Sequence, residues 1–375
     1  MSRFVISCGG TGGHLSPGIA LAEGLRARGH ESTLLISRKL IDARLSAKYP
    51  HLKFAPMPGR GWAWHPVAIA RFVPAQARAV WFCLRLLRTA RPAAVIGFGG
   101  FTSAPLVVAA ALLGLPAALH ESNRVPGRAV RLLGRLVRRV YLPPGITITG
   151  IGGGATRHAG LPVRREIARH DPARARAALG LDPQRRTLVV LGGSQGASGL
   201  NTWVRDTRAT LAHAGVQLFV VTGPGKGPAE TLSSPAADGA PVRAIFEPFS
   251  DRMAEVMSAA DLVVSRAGAG TLAELIRCGT PAVLVPYPKA ADDHQRANAE
   301  HFAREGGGVV VAQSEIARLT DIVLAVLGSE SRLAELRAAL ARMDRADPLE
   351  PMLADLEEIG AGERRLGGGT WVMAA

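Results

Sequence analysis

Two glycine pairs flank a threonine at Gly9-Gly10-Thr11-Gly12-Gly13, and His14 follows directly behind them. An apolar run, Phe4-Val5-Ile6, leads in. A strand that ends in glycines and turns into a helix is an anion trap. Without Cβ atoms the backbone N–H groups can close on a phosphate, and the helix dipole adds a partial positive charge. Three further loops repeat the pattern, at 97–100 (GFGG), 192–197 (GGSQGA) and 267–271 (AGAGT). Ser194 in the third loop stands where a helix N-cap belongs. In the fourth, Thr271-x-x-Glu274 has the spacing of a capping box. The loops lack the GxGxxG spacing of dinucleotide sites and the Walker lysine, so hydride transfer and ATP hydrolysis both lose support. Cys8, Cys83 and Cys278 are far apart with no CxxC, which argues against a disulfide framework or structural zinc and for a reducing, cytoplasmic setting.

The elements that must position these loops are legible as a repeat: a short apolar run, a glycine turn, then an amphipathic stretch. It occurs at 3–30, 93–114, 187–204, 218–225 and 260–279. Runs of four to six residues rich in Val, Leu and Ile suit strands buried on both faces of a parallel sheet. Alternation with helical stretches makes the fold class α/β. The chain has 375 residues, a length that suits two domains. We expect doubly wound domains over 1–163 and 164–345, with the join inside the polar stretch 158–172. A last helix at about 346–362 is expected to pack back on the first domain, and 363–375 to be a disordered tail. The longest apolar stretch, 104–119, is broken by Pro105 and Pro116 and falls short of the roughly 18 residues a spanning helix needs.

Charge is segregated. Residues 1–164 hold 22 Lys+Arg and 4 Asp+Glu, a net +18, whereas the remainder holds 23 and 26, a net −3. The first half should therefore meet an anionic surface. Read as a helix, 74–92 places Ala77, Val80, Leu84 and Leu87 on a core stripe and Arg78, Trp81, Phe82, Arg85 and Arg88 on an outer face. Arginines beside aromatics suit a membrane interface. Read the same way, 128–140 separates Arg128, Arg131, Arg135 and Arg138 from Leu133, Leu136 and Val140. Arg60, Trp62 and Trp64 form a candidate loop at the same mouth.

Five segments together carry a resemblance: GGTGGHLSPGIALAEGL, GFGGFTSAPLVVAA, HESNRVPGRA, LGGSQGASGLN and the block from Ala260 to Ala299. In this order they resemble the signature of the MurG family, the UDP-N-acetylglucosamine:undecaprenyl-diphospho-muramoylpentapeptide N-acetylglucosaminyltransferases of peptidoglycan synthesis. The likeness spans residues 3 to about 340. It implies GT-B architecture, two Rossmann-like domains facing across a cleft, and inverting transfer of N-acetylglucosamine (GlcNAc) from UDP-GlcNAc to the MurNAc C4 hydroxyl of the lipid-borne acceptor, lipid I. No cofactor is expected. The family has no DxD metal motif, nor has this chain, and stimulation by a divalent cation stays open.

Site residues follow from the resemblance. His14 is the candidate general base, an imidazole poised near neutrality, and Glu121 is its competitor. The backbone at Thr11, Gly12 and Gly13 would approach the donor or receive the acceptor's diphosphate. Arg164, whose guanidinium is a fork of donors for phosphate, and Ser194 match positions that contact the nucleotide. Ala269, Gly270, Thr271, Leu272, Ala273 and Glu274 open the helix that faces the diphosphate, with Glu274 on the ribose. Gln295 would read the GlcNAc hydroxyls, with His294 beside it, and Asn123 would reach the sugar from the first domain. Three positions depart from the family pattern. Ser250 replaces a uracil-contacting isoleucine, Leu161 stands in the usual Gly-Asn-Pro, and Ser122 replaces glutamine. The implied partners are UDP-GlcNAc, lipid I, an anionic membrane surface and other cell-wall synthesis proteins, with no nucleic acid. The implied place is the cytoplasmic face of the plasma membrane, as a peripheral protein. A GT-B transferase with another acceptor, a sugar-nucleotide epimerase, a sugar-nucleotide sensor and a basic-surface nucleic-acid binder remain alternatives.

Overall fold

A computed structural model describes residues 1–10, 12–38, 40–59, 66–193, 196–344 and 347–362. The chain forms two compact units, Met1–Arg164 with the chain from Asp347 onward, and Arg165–Ala346.

The first unit runs β1 (Arg3–Ser7), α1 (Gly12–Ala27), β2 (Glu31–Ile36), α2 (Leu40–Ser46), β3 (Lys53–Pro56), α3 (Pro66–Ala90), β4 (Ala94–Gly97), α4 (Gly100–Leu112), β5 (Ala117–His120), α5 (Arg128–Leu133), β6 (Arg139–Leu142) and β7 (Thr156–His158). The strands pair in the order β3-β2-β1-β4-β5-β6-β7, all parallel. Period-two alternation splits each strand between two cores. Phe4, Ile6, Leu34 and Ile96 face one core, and Val5, Leu35 and Val95 the other.

The second unit runs α6 (Pro172–Ala178), β8 (Thr187–Leu191), α7 (Ser198–His213), β9 (Gln217–Val221), β10 (Glu230–Pro235), β11 (Pro241–Glu247), α8 (Met253–Ala259), β12 (Leu262–Ser265), α9 (Ala269–Cys278), β13 (Ala282–Leu284), α10 (His294–Arg304), β14 (Gly308–Val310), α11 (Leu319–Leu327) and α12 (Glu330–Met343). Its order is β10-β11-β9-β8-β12-β13-β14, parallel except for the β10–β11 pair. That antiparallel pair was not expected. Its first strand, ETLSSP, is mostly polar, and only its alternating burial marks it as half exposed.

α13 (Leu349–Ala361) belongs to the first unit, where Met352, Leu353, Leu356 and Ile359 complete the core beside α1. Gly24 makes room on α1, since a Cβ there would stand 2.8 Å from Leu353. Ion pairs fasten the helix, Arg28 with Glu350 and Glu357 and Arg139 with Asp355 at 2.9 Å, and a hydrogen bond joins His30 to Glu357 at 2.9 Å. Asp355 also accepts from the buried Tyr141 hydroxyl at 2.7 Å.

Two expected helical faces are corrected. On α3 the buried ridge is Ala79, Cys83 and Leu87, and Ala77 is exposed. Residues four apart form one ridge, and this one sets the Cys83 thiol 3.6 Å from the Met57 sulfur. Phe82 is half-buried against that core, so it leaves the outer face that Arg78, Trp81, Arg85 and Arg88 keep. The expected helix over 128–140 ends at Leu133. A Cβ at Gly134 would lie 2.2 Å from Ile151, so only glycine fits there, and the chain passes through a short 3₁₀ turn into β6. Val140 is thus a buried strand residue, and Leu136 is 51% exposed. Among the described residues no helix is long and apolar enough to cross a membrane.

Candidate active site

In open α/β sheets ligands collect beyond the strand carboxyl ends, where the strand order reverses. The orders above place that reversal at β1/β4 in the first unit and at β8/β12 in the second. Each glycine loop singled out from the sequence leaves one of these four strands.

At the first reversal, Gly9 passes against the end of β2. A Cβ there would stand 2.3 Å from the Ser37 nitrogen. Gly10, at φ 118, donates its N–H to Asp42 at 3.0 Å. Gly12 and Gly13 open α1, and His14 is its third residue, half-buried. The imidazole packs on Gly99 and Gly100, whose φ values are 90 and 71. A Cβ at either would come within 3.4 Å of the ring. Thr102 ties the two loops by donating to the Gly9 carbonyl at 3.1 Å. Thr11 lies outside the described residues, as do Arg60, Trp62 and Trp64.

Beyond β5, His120 is buried between Phe98 and Tyr141, and its Nε2 lies 3.1 Å from the Gly160 carbonyl. Burial pushes its pKa down to about 4, and the neighbouring His14 pushes the same way, so the ring is neutral at pH 7. Glu121 is buried too, and both its oxygens are engaged. Oε1 accepts from the Asn123 backbone at 2.8 Å and side chain at 3.0 Å, and Oε2 accepts from Gly127 N–H at 2.6 Å. This carboxylate shapes the loop that presents Asn123. Arg164 closes the first unit, 8% exposed, donating to the Tyr49 hydroxyl at 3.2 Å. In this structure one arm of its guanidinium is held by Tyr49.

At the second reversal, Gly192 and Gly196 are required by close approach. Cβ atoms there would meet Ala197 N and the Thr222 carbonyl, each at 2.5 Å. Ser194 lies outside the described residues. Lys226, which the sequence reading passed over, donates to Ser198 at the start of α7, 3.0 Å away. α9 begins after Gly268, which makes no side-chain cap. Thr271 is therefore three residues into the helix, so the capping-box reading fails. By helix geometry the N–H groups of Ala269, Gly270 and Thr271 have no intrahelical acceptor, whereas Leu272 N–H already bonds Gly268. The Leu272 side chain is core, Ala273 is half-buried, and Glu274 is half-buried one turn further on.

The Gln295 carbonyl accepts Tyr287 N–H at 3.0 Å, which fixes the amide and leaves its NH₂ as the outward donor. Asp292 and Asp293, just before α10, both take left-handed φ values, 49 and 52. Strain of this kind concentrates at functional loops. His294 meets the Ala291 carbonyl at 2.7 Å. Ser250 is buried, with its hydroxyl turned toward Arg252 N–H at 3.4 Å, so its side chain is not presented to solvent. Arg266, another residue passed over, bonds the Val285 and Pro286 carbonyls, lies over the Tyr287 ring and has its pKa lowered by burial.

Two doubly wound sheets, each with helix-opening glycine turns at its reversal point, define the GT-B class of glycosyltransferases. Comparison with known proteins narrows this. Residues 4–142 match the glycosyltransferase family 28 N-terminal domain and 187–349 the family 28 C-terminal domain. A relative from Opitutus terrae, a UDP-N-acetylglucosamine–N-acetylmuramyl-(pentapeptide) pyrophosphoryl-undecaprenol N-acetylglucosamine transferase, is 58% identical over 96% of this chain and 95% of its own. One of the same name from Clavibacter michiganensis is 38% identical over 95% and 96%. The crystal structure of Acinetobacter baumannii MurG superposes with a TM-score of 0.70 at 24% identity, covering 96% of this chain and all of that one, and supports the fold. The chain belongs to the MurG family of glycosyltransferases, family 28.

Proposed function

We propose that this chain transfers GlcNAc from UDP-GlcNAc to the MurNAc C4 hydroxyl of undecaprenyl-diphospho-MurNAc-pentapeptide, with inversion, in peptidoglycan biosynthesis. The observation that carries this is His14 at the first reversal point, seated on Gly99 and Gly100, in a chain 58% identical over nearly its full length to a relative named for that reaction. In this reading His14 takes the C4 hydroxyl proton as that oxygen bonds the anomeric carbon, while the bond from that carbon to the diphosphate oxygen breaks and UDP leaves. The oxocarbenium-like transition state places growing negative charge on the diphosphate. The N–H groups of Ala269, Gly270 and Thr271 suit that charge without reorganisation. Glu274 accepts the ribose hydroxyls, and the Gln295 NH₂ and Asn123 address the sugar. Glu121 positions Asn123 and leaves proton transfer to His14. The scheme uses no metal, and a stimulating cation would act on the diphosphate.

The acceptor's lipid calls for a membrane surface, and the first unit offers one. Trp81, 60% exposed with Arg85 at 4.6 Å over its ring, shares the packed helices α3–α5 with exposed Leu112 and Leu132. Arg78 and Arg88 on α3, Arg128 and Arg131 on α5 and Arg135 in the turn after it are exposed as well. We infer peripheral binding to the anionic cytoplasmic face of the plasma membrane, where other cell-wall enzymes are candidate neighbours. Transfer of labelled GlcNAc from UDP-GlcNAc to a lipid I analogue, with and without EDTA, tests the reading. No labelled lipid product would refute it.

A further inference from the structure

Residues 1–164 contain four carboxylates, Glu23, Glu31, Asp42 and Glu121. Two of them, Asp42 and Glu121, are buried at the carboxyl end of the sheet. Glu121 is accounted for by the Asn123 loop. Asp42, on α2, has no part in the scheme above. It is wholly buried, and its Oδ2 collects three donors: Gly10 N–H at 3.0 Å, Ser37 N–H at 2.9 Å and the Ser37 hydroxyl at 2.5 Å. Its Oδ1 has no hydrogen-bond partner among the described residues.

The three donors belong to the two backbone segments that Gly9 brings into contact, the β1 exit and the β2 exit. Gly10 stands four residues before His14, at a φ that favours glycine. We propose that Asp42 is a positioning residue for transfer: its carboxylate pins the β1 exit to the β2 exit and thereby sets the start of α1, on which His14 sits against Gly99 and Gly100. A carboxylate suits this post because one oxygen can accept all three donors. An amide oxygen accepts them more weakly and brings an NH₂ into the space now held by the unpartnered Oδ1. This inference rests on the reading of His14 as the base.

The test is a double-mutant cycle on the full chain, following GlcNAc transfer to a lipid I analogue. Asp42→Asn should lower kcat about 10-fold or more, as a small misplacement of a catalytic group does, with KM for UDP-GlcNAc changed less than about 2-fold. Ser37→Ala, which removes one donor and keeps the carboxylate, is the gentler variant and should lower kcat about 3-fold. In a His14→Ala background, Asp42→Asn should cost almost nothing further, because a residue that acts through His14 has nothing left to position. Circular dichroism melts keep every assay below the unfolding transition. Unchanged kcat in both single variants, or an undiminished Asp42→Asn effect in the His14→Ala background, overturns the proposal. A lowered melting temperature with unaltered kcat and KM does the same, since it marks a purely structural carboxylate. If His14→Ala itself transfers at the wild-type rate, the base assignment fails and takes this proposal with it. If His14→Ala is crippled and Asp42→Asn is not, only the positioning role falls.

Discussion

Replacing His120 by glutamine should flatten the acid sensitivity of the first unit. The native ring is buried between Phe98 and Tyr141 and titrates near 4, against an ordinary value of 6.5. Between those values the unfolded chain binds a proton that the folded chain refuses, so stability rises with pH across the window and is lost as pH falls. Two and a half units at 1.36 kcal/mol each make the loss about 3 kcal/mol on going from pH 7 to pH 4. A proton on His14 acts in the same direction, because its charge already depresses His120. Glutamine can still donate to the Gly160 carbonyl but carries no titrating ring. It should cost about 1 to 2 kcal/mol at pH 7 through lost packing, so the two stabilities should cross at about pH 5, and the variant should be the more stable by pH 4. Hydrogen exchange at β5 and β6, read at half-unit steps from pH 4 to 7.5 and corrected for intrinsic exchange, isolates the first unit from the second. A wild-type-minus-variant difference that stays constant across the window would refute the assignment of a buried, neutral His120.

Four further outcomes are expected. Glu274→Gln should raise KM for UDP-GlcNAc about 10- to 100-fold, the worth of a charge-assisted hydrogen bond, with a smaller change in kcat; steady-state kinetics decides. Gly308→Ala should destabilise the second unit by about 3 kcal/mol, since its Cβ would fall on the Ala282 carbonyl and β14 has no side-chain slack to absorb it; urea melts measure this. Asp355→Ala should cost about 2 to 3 kcal/mol by stranding the Tyr141 hydroxyl and the Arg139 guanidinium, and should raise protease cleavage near α13. Trp81→Ala with Arg85→Glu should weaken sedimentation with anionic vesicles, most visibly at low salt, while soluble-analogue transfer is retained.

The α/β repeat and the glycine turns were readable because buried parallel strands are nearly pure Val, Leu and Ile and because the turns after β1, β4 and β8 need glycine for contact or for positive φ. Faces of helices read less well. The α3 ridge at Ala79, Cys83 and Leu87 depends on a neighbour, Met57, that arrives from β3. The glycine just past α5 answers to Ile151, which packs where a Gly134 side chain would be. Glu121 was legible as a candidate, but its partners Asn123 and Gly127 were not. Asp42 carried no motif at all, and its one signal was scarcity, a carboxylate in a stretch holding four. Thr271 and Glu274 had capping-box spacing, and only the helix start at Gly268 shows that Thr271 is not the cap.

The helix that completes the first unit's core follows the whole second unit in the chain. Until α13 leaves the ribosome, the α1 surface formed around Gly24 is uncovered, and Arg28, His30 and Arg139 lack their acidic partners. The second unit is encoded between the two parts of the first, so it can close before the first does. Nascent chains stalled short of residue 349 should therefore engage a chaperone through residues 1–164, and chains extended past α13 should not.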